Sequence, residues 1–157
     1  KRKPDEDNPK GYFEYEKVKD IETDTSWLDQ CHGKAVKMVS ERLWYLPKDK
    51  LYNIVFMRRS MQEILASQNL MLKRQGKKQN DIDDDKMAEY FEKHLQSIKN
   101  HIKTMLYTRV LYINYDDILT NPRGGATTIS SFLPHDLDCE KMAAIVDQSL
   151  YRQRKRI

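Results

Sequence analysis

Apolar residues fall along this chain in two rhythms, and each predicts a kind of element. The runs Lys34-Ala-Val-Lys-Met-Val39, Tyr52-Asn-Ile-Val-Phe-Met57 and Val110-Leu-Tyr-Ile-Asn-Tyr115 are short, β-rich and mostly apolar. Parallel strands covered on both faces have that character. Between the second and third runs the apolar positions shift to helical spacing, first Met61, Ile64, Leu65 and Leu72, then Met87, Phe91, Leu95, Ile98, Ile102 and Met105. Ser60, with Glu63 three places on, predicts the start of the first helix, and Gly76 its end. The charged stretch 76–85 reads as an exposed loop. Two helices between two strands fit crossover connections. Downstream, Asn121-Pro122 predicts a helix carrying Ile129, Phe132 and Leu133, and Asp138 caps a last one carrying Met142, Ile145 and Val146. The predicted fold is α/β, a parallel sheet flanked by helices.

Length and composition narrow this picture. At 157 residues one domain is expected, spanning 11–157, preceded by a flexible charged arm over 1–10 that contains Pro4 and Pro9 and almost nothing to bury. The chain is 39% hydrophobic and 33% charged, with no apolar stretch of membrane-span length, so a soluble protein is expected. The net charge of +4 is too small to argue for nucleic acid but suits an anionic ligand. Cys31 and Cys139 lack the spacing of a zinc or redox motif, which makes them ordinary thiols of a reducing, cytoplasmic setting.

Candidate chemistry concentrates after the second strand. Arg59 leaves the strand end and Ser67 follows eight residues later in the helix, so both can face one anion at the C-terminal edge of the sheet. Arg59 would fork onto a phosphate while the Ser67 hydroxyl donates a further bond. Periodicity alone favours a plainer alternative, in which Arg58 and Arg59 are solvated and Ser67 is a small helix residue.

The stretch Phe56-Met-Arg-Arg-Ser-Met-Gln-Glu-Ile-Leu-Ala-Ser67-Gln resembles the 3′-phosphate-binding motif of PAPS-dependent sulfotransferases. Leu111-Tyr-Ile-Asn-Tyr115-Asp-Asp-Ile-Leu-Thr-Asn-Pro, followed by Ile129-Ser-Ser-Phe-Leu133, resembles the same family's strand, acidic turn, helix and closing Phe-Leu pair. The likeness runs from Asn8 to Arg154 and is strongest to bacterial sulfotransferase family proteins. It implies a P-loop-like sulfotransferase fold that binds PAPS as donor co-substrate without a metal. Arg59 and Ser67 would hold the 3′-phosphate, Tyr115 would sit beside the adenine, and Arg152 and Arg154 in the basic tail would close over the donor.

Two parts of the family pattern are missing. None of the glycines Gly11, Gly33, Gly76, Gly124 and Gly125 stands in a strand-to-helix loop with a basic residue and Ser or Thr, the arrangement that cradles a 5′-phosphosulfate. The expectation is therefore a partial domain lacking its first strand and loop, roughly 20–30 residues. An open sheet edge, and self-association through it, would follow. The family's usual catalytic histidine also falls on Val39, two places after Lys37. A carboxylate can serve instead, and of the two that the segment offers, Glu14 and Glu16, Glu14 is the first choice of base, with Lys37 as a cation offsetting charge on the transferred group. The alternative for Glu14 is a cap on a helix containing Val18 and Ile21. His94 and His101, seven apart on one helix, are too far apart for one zinc ion and are expected to flank the core.

The expected function is sulfuryl transfer from PAPS to a hydroxyl or amine of a small-molecule or carbohydrate acceptor. The alternatives are a non-catalytic relic that keeps the nucleotide pocket, and a basic RNA-associated protein. The last is disfavoured because no nucleic-acid module is visible.

Overall fold

A computed structural model describes residues 3–6, 8–74, 76 and 83–151. The chain divides into two compact units, one of residues 1–50 with 90–107 and the other of residues 51–89 with 108–157.

The second unit carries the sheet. Strand β1 (Tyr52–Arg58) pairs in parallel with β2 (Thr108–Asn114), with Tyr52 opposite Thr108 and Arg58 opposite Asn114. The α/β class read from the sequence is present in this pair. Phe56 and Tyr112 face each other across the strands with ring centroids 5.5 Å apart. On the opposite face, Arg109 lies 4.9 Å from the ring of Phe132. The first α-helix among the described residues, α1 (Met61–Arg74), follows β1 and buries Leu65 and Glu63. Helix α3 (Tyr115–Thr120) follows β2 without a break, and α4 (Pro122–Phe132) starts where the sequence predicts, because the Asn121 side chain accepts from the Gly124 amide at 3.0 Å. Helix α5 (Cys139–Ala144) is likewise capped by Asp138, which accepts from the Lys141 amide at 3.0 Å. A 3-10 turn, Gln148–Leu150, follows it.

The first unit is built on 3-10 helices, Glu16–Asp20, Ser26–Cys31 and Ser40–Tyr45, packed with the latter part of α2 (Asp84–Lys103). Helix α2 has acids in its first turn and His101 and Lys103 in its last, the order that the helix dipole favours. Trp27, Ile21 and Ile98 are fully buried at the centre of this unit, and the Trp27 ring nitrogen donates to the Asp24 carbonyl at 2.8 Å.

Three expectations need correcting. Residues 34–39 form no strand, and most of the run is exposed, Val39 included. Its composition matched a strand, but a strand also needs a neighbour to satisfy its backbone, and the run has none among the described residues. The third apolar run pairs over Thr108–Asn114, so Tyr115 opens a helix instead of ending a strand. Ile145 is 77% exposed and does not join the core face of α5.

Part of the charged arm is packed. The Tyr12 hydroxyl donates to Asp5 at 2.6 Å, and the Gly11 amide donates to the Asn8 carbonyl at 2.9 Å. Cys31 and Cys139 are both free thiols. No helix among the described residues is long and apolar enough to cross a membrane.

Candidate functional site

Parallel register determines what meets at the C-terminal edge of the sheet. Because Arg58 pairs with Asn114, the next residues, Arg59 and Tyr115, leave the two strands side by side. The Arg59 guanidinium carbon lies 5.2 Å from the Tyr115 ring centroid and 5.6 Å from that of Tyr151, within range for cation–π attraction. The two tyrosines meet edge to face, with centroids 5.7 Å apart and planes at 71°. Arg58, Arg59, Ser60, Asn114, Asp116 and Asp117 line a cleft of about 310 Å³ at this edge.

Glu63 anchors the arrangement. It lies in the first turn of α1, is 3% exposed, and accepts from the Arg59 Nε at 3.0 Å through one oxygen. Its other oxygen accepts from the Tyr151 hydroxyl. A carboxylate this deeply buried persists only where charge and hydrogen bonds compensate it, and Arg59 and Tyr151 supply both. The bond to Glu63, then burial, then Asp116 push the Tyr151 hydroxyl up to about 12. Two arginines and two aspartates give the cleft no excess charge of its own. The Asn114 side-chain amide donates to Asp117 at 2.8 Å and holds one of those carboxylates.

Of the residues singled out in the sequence, the structure brings Arg59 and Tyr115 together. Ser67 lies further along α1, half-buried, and is not among the residues lining this cleft. Lys37 and Glu14 belong to the other unit and meet there. The Lys37 ammonium donates to the Tyr12 carbonyl at 3.0 Å and stands 3.8 Å from the Glu14 carboxylate. Phe13, between Tyr12 and Glu14, adopts a left-handed φ of 49°, and this turn presents both neighbours to one ammonium. Tyr15 precedes the 3-10 helix Glu16–Asp20 as its N-cap residue, so Glu14 does not cap it. Arg152 and Arg154 lie outside the described residues. His94 shares a hydrogen bond with Ser40 at 3.1 Å, and His101 stacks on Trp44 with ring centroids 4.3 Å apart.

Sequence reasoning missed Glu63 and Tyr151. The i,i+4 spacing of Arg59 and Glu63 was a readable sign of their pairing, whereas Tyr151 lies 88 residues from its partner and gave no local signal. Comparison with family models, curated proteins and solved structures finds no significant match to this chain.

Proposed function

We propose that this chain binds the 3′-phosphoadenosine end of PAPS and belongs to the donor side of a sulfuryl-transfer enzyme. The observation that carries this reading is the meeting of Arg59 and Tyr115 at the C-terminal edge of two parallel strands, where open α/β sheets bind their ligands. Arg59 supplies a forked cation for a phosphate, and Tyr115 supplies an aromatic face for the base. In the transfer step, a base takes the proton of the acceptor hydroxyl or amine as that atom attacks sulfur in line. The bond from sulfur to the bridging phosphate oxygen breaks, and adenosine 3′,5′-bisphosphate leaves.

A donor-binding protein without transfer chemistry is the second reading. One observation favours it: β1 passes to α1 through Arg59 and Ser60, and neither this turn nor the β2–α3 junction carries a glycine-rich phosphate loop.

Calorimetry with adenosine 3′,5′-bisphosphate and adenosine 5′-monophosphate tests the donor reading. The bisphosphate should bind more tightly, and Arg59→Ala should weaken it by about tenfold or more, the effect of losing a charge-assisted contact. Equal affinity for the two nucleotides refutes the assignment. Release of the bisphosphate from PAPS on adding hydroxyl or amine acceptors separates the enzyme from the binding-only protein.

A further inference from the structure

The donor reading uses Arg59 and Tyr115 but gives no task to the two groups that hold Arg59 in place. Glu63 bonds the Nε edge of the guanidinium, and a phosphate is forked by the opposite Nη1/Nη2 end, so pairing at Nε turns the forking end away from the carboxylate. The second Glu63 oxygen is occupied by the Tyr151 hydroxyl, which draws that oxygen's charge away from Arg59. Tyr151 is itself fixed from its own side. Its amide donates to the Gln148 carbonyl at 3.1 Å, and the Gln148 side chain donates at 2.8 Å to the carbonyl of Leu119, within the helix that Tyr115 opens.

We infer that Glu63 and Tyr151 are positioning residues for the Arg59 cleft, holding the guanidinium in the orientation that selects a phosphomonoester. The inference rests on the donor reading of Arg59. Each group acts through Arg59, Tyr151 by restraining Glu63 and Glu63 by orienting the cation. Without the Tyr151 hydroxyl, both Glu63 oxygens can turn to Arg59 and compete with the ligand for it.

The test uses the whole chain and the same two nucleotides. Tyr151→Phe keeps the ring against Tyr115 and Arg59 and deletes only the hydroxyl. It should weaken adenosine 3′,5′-bisphosphate by about fivefold, the worth of one hydrogen bond, and leave adenosine 5′-monophosphate almost unchanged. Glu63→Gln preserves shape while removing the charge that pins Nε, and should narrow the same preference. In the Glu63→Gln background, Tyr151→Phe should cost less than in the wild type, because the charge it restrains is gone while the hydroxyl's contact with Asp116 is still lost. An unchanged preference in both variants, additive losses in the double variant, or equal weakening of both nucleotides overturns the inference while the donor reading stands. A wild-type chain that does not prefer the bisphosphate overturns the donor reading and this inference with it.

Discussion

His101 offers a test of how the first unit answers acid. It is 9% exposed, stacked on Trp44, and its Nε2 has no hydrogen-bond partner among the described residues. Burial, and secondarily Lys48, hold its pKa below the usual histidine value, while a backbone hydrogen bond with Leu43 acts the other way. The neutral ring is the form the fold accepts. A histidine whose folded pKa is depressed contributes its full stability above its unfolded pKa, near 6.5. That stability is lost as pH falls through the window below this value, because the unfolded chain takes up the proton first.

The slope has a ceiling. One proton taken up by the unfolded chain alone costs about 1.4 kcal/mol per pH unit. An unpaired buried polar atom costs about 1–3 kcal/mol, and its replacement by an apolar group of similar shape is nearly neutral or stabilising. His101→Phe removes the unpaired Nε2 but also the hydrogen bond with the Leu43 backbone, so the two effects oppose each other and the variant should stay within about 1 kcal/mol of the wild type at pH 7.5. It should lose less stability than the wild type on moving to pH 5. Urea unfolding at the two pH values, followed by tryptophan fluorescence, measures the difference. Equal losses in the two proteins, or a substantially destabilised variant at pH 7.5, would refute the reasoning.

Other perturbations have readable outcomes. Asn121→Ala should cost about 1 kcal/mol of stability in urea unfolding by removing the cap on the Gly124 amide. A Cβ on Gly124 would stand 2.4 Å from the Asn121 side-chain nitrogen, so Gly124→Ala should be near neutral alone. In the Asn121→Ala background, with no cap left to displace, it should stabilise by about 1 kcal/mol. Spectrophotometric titration of the tyrosines should show one of the last to ionise disappearing in Tyr151→Phe. The raised pKa means that the Tyr151 tether is intact below pH 10 and lost as pH rises through about 12.

The sequence disclosed the elements whose signals are local. Asn121 before Pro122, Asp138 before α5 and the apolar stripe of α2 each involve residues within a few turns of one another, and the structure places helices there. It did not disclose pairing. Residues 34–39 have the apolar content of a strand, yet composition carries no information on whether a partner lies alongside. Glu63 shows the same gap for charge. Acidic residues default to solvent in any reading by residue type, and its burial depends on a tyrosine 88 positions away.

The meeting of Arg59 and Tyr115 depends on strand register more than on either residue. Arg58 opposite Asn114 brings the next residue of each strand to the same edge, whereas a slip of one position would set Asn114 or Asp116 beside Arg59 in place of the aromatic ring. Packing resists that slip. Ile113 is buried on the same face as Arg109, which covers Phe132, while Phe56 meets Tyr112 on the other. Because side chains alternate along a strand, moving β2 by one residue against β1 would break the Phe56–Tyr112 pair and oppose residues that point to different faces. The apolar residues in the middle of the strands thus determine which polar residues meet at their ends, and the chemistry of the cleft follows from the packing of the sheet beneath it.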